Sequence, residues 1–251
     1  MKLFIFTWLV LLPCNSFAAT WEASLAPTLW QYQEISPQRN GIGSTPFQSN
    51  VQGMALEAAI QNTMIWHTWS FSSRWQGLQS LQSSQEKWSF RQSTQNNQLS
   101  IQQSELKFDI SHPWQHIQWG LGTSYQWHQQ SRQNFRVNGV PVSVAGEPII
   151  ETVQTLWLDS HIMIPWQAWR MCLSIGVPTW VHTTNTLLAT AFTSKQGFRT
   201  HMTWSYQPQQ SPWKLQASYN YRELGNQITS NGWLWPKNRW QTASIGVSCG
   251  W

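Results

Sequence analysis

Over residues 117–128 the chain alternates. Ile117, Trp119, Leu121, Thr123, Tyr125 and Trp127 share one parity, and Gln118, Gly120, Gly122, Ser124, Gln126 and His128 share the other. A period of two is the signature of a strand with unlike faces. The pattern returns in Met54/Leu56/Ala58/Ile60, in Leu106/Phe108/Ile110, in Leu156/Leu158/Ile162 and in Phe198/Met202/Trp204/Tyr206. No segment with a helical period competes with these runs.

Three alternating runs begin with Pro-Trp: "HPWQHIQWGL", "IPWQAWRMCL" and "SPWKLQASY". Two earlier runs start at Trp21 and Trp66 without the proline, and the unit recurs about every 45–50 residues. Each unit reads as one strand out, a long connection and one strand back. Outward strands fall near 20–34, 64–77, 116–130, 168–182 and 213–223. Return strands fall near 51–62, 99–110, 150–163, 197–206 and 239–251. The Pro-Trp sites join strands by tight turns with Pro as the turn former. The long connections collect Gly, Asn, Ser, Gln and Pro, as in "SPQRNGIGSTPFQSN". The expectation is ten antiparallel strands of about 10–15 residues. Eight or twelve are the alternatives, because 78–98 can extend a hairpin.

The larger faces are too aromatic for a soluble sheet. Short turns at one end, long loops at the other, an even strand count and alternating faces predict an all-β transmembrane antiparallel up-and-down barrel. A closed barrel leaves no unpaired backbone edge in lipid. The expected interfacial girdle is Trp21, Trp66, Trp114, Trp166, Trp169, Trp213 and Trp251 at the short-turn end. Trp127, with Trp75, Trp204 and Trp240, belongs nearer the long-loop end. The C-terminal "ASIGVSCGW" resembles the last strand of bacterial outer-membrane barrel proteins, which alternates back from a terminal aromatic. That resemblance implies recognition by the barrel assembly machinery.

Composition fits. Charged residues are 10% of the chain, against about 25% in soluble proteins, and Trp numbers 20 of 251. Lys2, the apolar run Leu3–Pro13 and Ser16-Phe17-Ala18-Ala19 read as a secretory signal peptide over 1–19, ahead of a barrel domain over 20–251. The apolar run is too short for a membrane anchor, and Pro13 before Cys14 does not suit lipoprotein processing. The address this implies is the outer membrane of a Gram-negative bacterium. By alternation Cys172 and Cys249 point to opposite sides of the sheet, so no disulfide is expected.

Strand-borne charges should face inward, since a charge on the lipid face costs about 2–4 kcal/mol near the midplane. They are Glu57 and Arg74, then Glu105, Lys107 and Asp109, then Asp159, His161 and Arg170, and finally Arg199, His201, Lys214 and Arg222. The expectation is a polar lumen filled by ion pairs and Gln side chains, with a structural or narrow-pore role, no cofactor and no enzymatic activity. A different class starts from Asp159 and His161, two apart on one strand, since a carboxylate can orient a histidine base. Omptin-type outer-membrane proteases resemble this chain in having ten strands and an Asp-His pair. However, Asp159 and His161 lie beside the Pro165-Trp166 turn, at the opposite end from the omptin site. The mature chain has no further Asp but Asp109. A lipid-modifying hydrolase would recruit His128, His182 or His201 with a serine. A Trp-rich carbohydrate-binding sandwich is the third class, and it would put Trp in loops rather than at alternating strand positions. The histidines are too scattered for a metal site, and no nucleic-acid partner is implied.

The long connections carry Arg39, Lys87, Arg91, Arg132, Arg136, Lys195, Lys237 and Arg239 against Glu86, Glu147 and Glu223. Arginine binds phosphate through two parallel hydrogen bonds. Arg132, Arg136 and Arg239 are therefore expected to face lipopolysaccharide phosphates.

Overall fold

Every alternating run of the sequence is a strand, and the strands close on themselves. In a computed structural model, ten antiparallel strands form one barrel. They are β1 (Ala18–Ile35), β2 (Gln48–Trp66), β3 (Trp69–Ser80, resuming as Ser84–Ser89), β4 (Thr94–Trp114) and β5 (Ile117–Val137). They continue as β6 (Ile149–Trp166), β7 (Trp169–Asn185), β8 (Thr190–Ser194, resuming as Gly197–Tyr206), β9 (Trp213–Leu224) and β10 (Lys237–Gly250). Each strand pairs with its sequence neighbour, and β10 pairs with β1 from Glu22↔Gly250 to Ile35↔Lys237. The structure describes residues 18–35, 48–89, 93–144, 146–186, 190–194, 196–225, 227–228, 234–235 and 237–251. The apolar run of the signal peptide and Arg39, Arg91 and Lys195 lie outside the described residues.

The two faces separate as the parity requires. Leu25, Leu29, Met54, Leu121, Tyr125, Leu158, Ile175 and Ile245 are exposed on the outside. Ser124, Gln126, His128, Asp159 and Ser174 are buried inside. An exposed apolar belt around a closed sheet is the surface that lipid hydrocarbon solvates. The six tryptophans Trp66, Trp114, Trp166, Trp169, Trp213 and Trp251 ring the short-turn rim, exposed, while Trp21 and Trp127 are half-buried.

Two features differ from the sequence expectation, and a third settles an alternative it left open. The strands are longer, 18 residues in β1, 19 in β2 and 21 in β4 and β5. Their upper outward positions are Gln31, Gln33, Gln102, Gln129 and Gln154 rather than apolar residues. The barrel wall thus continues past the hydrocarbon band, and polar composition alone made these stretches look like loop. Residues 84–89 and 94–99 pair as the hairpin extension that 78–98 left open, and it lengthens two of the ten strands above the band without adding any. Finally, two of the three Pro-Trp prolines do not make the turns, whereas Pro212 lies in the connection ahead of Trp213. Pro113 and Pro165 occupy the penultimate strand rung, opposite Gln118 and Arg170. The turns themselves are Gln115-His116 and Gln167-Ala168, and His67-Thr68 in the hairpin without proline. His67, Gln115 and Gln167 adopt φ of 53°, 55° and 54°, the left-handed value a tight two-residue hairpin demands.

The lipid-facing band should report itself by depth. Leu121→Arg should cost about 2–4 kcal/mol, whereas Gln129→Arg, on the same face above the band, should cost about 0–1 kcal/mol. Equilibrium unfolding in guanidinium, with the barrel in lipid vesicles, measures both. Equal costs would place the band elsewhere.

Candidate functional site: a vestibule and a plug

The lumen is divided into two parts. The half toward the short turns holds a cavity of about 1050 Å³ whose mouth is lined by His67, Thr68, Pro113 and Trp251. Its far end is lined by Leu78, Gln126, Arg222 and Trp240. Beyond that end the lumen is packed. Trp30, Tyr32, Val51, Leu78, Leu99, Ile101 and Trp240 form one buried apolar cluster, and Val153, Trp157, Val181 and Leu224 form a second. Trp30 stacks on Trp240 at 5.5 Å with the rings 15° apart, and His128 also meets Trp240, edge-on at 4.8 Å. Trp240 is therefore an interior residue rather than a member of the outer girdle, because its parity on β10 is that of the inward Asn238 and Thr242.

A buried charge cluster tops the plug. Arg132 donates from Nε to Glu86 Oε2 at 2.8 Å, from Nη2 to Glu34 Oε1 at 2.8 Å and from Nη1 to Glu151 Oε2 at 3.3 Å. Tyr32 donates its hydroxyl to Glu34. Arg132 is thus not lipopolysaccharide-facing. The alternation of β5 runs unbroken from Gln126 to Arg132, which points the side chain inward, and it is 5% exposed. Arg136 does lie exposed near the top of β5. Arg239 is partly exposed on β10, with Nε 2.8 Å from Glu223 Oε2. Three carboxylates around one guanidinium leave an excess of negative charge. Burial, then the neighbouring Glu34, push the Glu151 carboxyl up to about 8.

The other charges read from the sequence all project into the barrel. Arg199 is the hub. It donates from Nε to Asp159 Oδ1 at 2.8 Å, from Nη1 to Glu105 Oε1 at 2.8 Å and from Nη2 to Ser124 Oγ at 2.7 Å, and it lies over the Trp157 ring at 4.8 Å. Lys107 pairs with Asp109 at 3.1 Å, Lys214 with Glu22 at 2.6 Å, and Arg74 with Glu57 more loosely at 3.9 Å. His201 shares a hydrogen bond with Thr203 at 2.8 Å. Arg170 lines the vestibule and is exposed. Asp159 and His161 share a face, but they do not form a pair: Asp159 is taken by Arg199, while His161 Nδ1 lies 3.5 Å from Asp109 Oδ1. Gly120, Gly122 and Gly176 make room for neighbours on adjacent strands rather than for side chains from across the barrel. A Cβ on them would strike His161, Asp109 and Asp159 respectively. Cys172 lines the vestibule, and both Cys172 and Cys249 are free thiols. Among the described residues no three His, Cys, Asp or Glu gather as a metal site.

No protein-family model matches the sequence, and no curated protein matches it. Solved structures do match. The outer membrane protease OmpT from Escherichia coli superposes with a TM-score of 0.61 and 8% identity, covering 93% of this chain and 96% of that one. The translocator domain of the autotransporter NalP from Neisseria meningitidis gives 0.42 with 11% identity, over 91% of this chain and 88% of that one. The outer membrane protein OprG from Pseudomonas aeruginosa gives 0.41 with 9% identity, over 93% and 96%. At these identities the likeness concerns the fold. This chain has the all-antiparallel, closed fold of bacterial outer-membrane β-barrels.

The plug carries a pH signature. An acid whose folded pKa is raised stabilises the fold fully below its unfolded pKa and ceases to as pH rises through the folded one. The contribution of Glu151 to stability should therefore fall as pH rises from about 4.5 to about 8, and Glu151→Gln should remove that component of the pH dependence. Thermal midpoints of the wild type and the variant across this range test it. An unchanged slope in the variant would assign the proton elsewhere.

Proposed function

We propose that the protein is a structural barrel of the Gram-negative outer membrane that is closed at rest and has at most a narrow pore. The observation that carries this reading is the packed outer half of the lumen. Two apolar clusters and the Arg132 cluster fill the cross-section that a solute would have to pass. Wide aqueous channels belong to barrels of about 16–18 strands, and a barrel half that size is filled by side chains. The short-turn end faces the periplasm, as in barrels of this kind, so the vestibule opens inward and both termini are periplasmic. Export uses a signal peptide cleaved near residue 19, and insertion uses the barrel assembly machinery that reads the Trp251-terminated last strand. Arg136 and Arg239 are the outer-rim arginines placed to meet lipopolysaccharide phosphates.

The reading is non-enzymatic. Asp159 is committed to Arg199 and is unavailable to orient a histidine base. The likeness to a protease in fold does not bring its chemistry to this chain.

Reconstitution in planar bilayers tests the proposal. The wild type should pass no steady current, and Trp30→Ala combined with Trp240→Ala should raise conductance by removing the stacked pair from the plug. A steady, solute-selective current through the wild type would make the protein a channel and overturn the reading.

A further inference from the structure

The vestibule ends on a buried cation that has no carboxylate of its own. Arg222 is 4% exposed and lines the blind end of the cavity beside Gln126, Asn220 and Trp240. Its Nη1 donates to Gln126 Oε1 at 2.5 Å, and its guanidinium carbon lies 6.0 Å from the Trp240 ring centroid. Its Nε is buried and has no acceptor. Two other arginines of the barrel interior are treated differently. Arg132 closes on three carboxylates, and Arg199 closes on Glu105 and Asp159. Arg222 makes no ion pair among the described residues, and it sits directly across the β8–β9 ladder from Arg199. Like charges at paired positions repel, and a buried ion without a counter-charge costs several kcal/mol.

A cavity of about 1050 Å³ leads from water to this group. Such a volume lies at the top of the range of small-molecule sites, which typically combine an apolar wall with a few placed polar groups. Trp240 and Leu78 supply apolar surface at the depth of Arg222. The planar guanidinium matches a carboxylate in a two-point contact. We infer that the vestibule binds a small organic carboxylate, its carboxyl group on Arg222 and its apolar body along Trp240. The ligand supplies the negative charge that the wall withholds from Arg222 alone among these three arginines. This goes beyond the closed-barrel reading and uses it only for the side of entry, the periplasm.

The probes are sodium benzoate and its uncharged counterpart benzamide, titrated calorimetrically into the folded, full-length barrel in zwitterionic detergent at fixed ionic strength. Benzoate should saturate one site, and benzamide should show no saturable binding. Arg222→Met should weaken benzoate by about tenfold or more, as expected for losing a charge-assisted contact. Arg222→Lys, which keeps the charge and loses the fork, should fall between them, and Arg136→Met should bind as the wild type does. If the Arg222 variants do not fold, wild-type protein is treated with phenylglyoxal, which modifies arginine side chains reachable from water. Benzoate should slow modification of the Arg222 peptide and leave the Arg136 peptide unaffected. The inference is overturned if benzoate and benzamide bind alike, or if folded Arg222→Met keeps its affinity. It is equally overturned if Arg222 never reacts or reacts at the same rate with and without benzoate. Binding is read without any current, so its failure leaves the closed-barrel reading standing, and a conducting wild type would leave this site standing.

Discussion

The seam between β1 and β10 holds the rest of the structure in place. In hydrocarbon an unpaired backbone N–H or C=O has no water to turn to, and each costs several kcal/mol. The ladder from Glu22↔Gly250 to Ile35↔Lys237 removes the last free edge. Once the sheet is a closed tube, every side chain has only two directions. One meets lipid and must be apolar, and the other meets a confined lumen and must find partners there. The low charge content, the abundance of Trp and the Gln-rich strands all follow from that partition.

Within the tube, the two halves solve the partner problem differently. Toward the long-loop end, bulky aromatics fill the cross-section, and the four-membered cluster around Arg132 is compensated from three separate strands. Toward the short turns, smaller residues such as Ser72, Thr203 and Ser205 leave space, and ion pairs line the wall instead. The arrangement yields a blind vestibule rather than a through-pore. Glycines serve this economy of space. Gly122 and Gly176 give up their own side-chain volume so that Asp109 and Asp159 can lie flat against the wall. Asp159 thereby reaches Arg199 instead of standing into the cavity.

The turn chemistry shows how local and global demands share a short motif. Pro113 and Pro165 sit at strand ends, where a missing N–H is tolerable. The adjoining Gln residues accept the positive φ that a two-residue hairpin needs. The tryptophans of the same motif stay outside, where an amphipathic ring prefers the boundary between hydrocarbon and water.

Alternation by itself determined the fold class and which parity of each strand faces which way, because period two is a property of the strand that needs no partner to be seen; the strand count it put at ten with eight and twelve open, and closure of the sheet decided it. Alternation even holds the answer for Arg132, whose parity is that of Gln126 and His128, although polar composition drew attention away to the loops. What alternation lacks is distance across the barrel. Arg132 meets Glu34 from 98 positions away in the chain, Glu86 from 46 and Glu151 from 19, and Trp30 stacks on Trp240 from the opposite end of the sequence. Which inward residues converge depends on the tilt and stagger of the closed sheet. The tertiary structure alone therefore decided that the long-loop half is plugged, that the short-turn half is open, and that Arg222 is left without an acid.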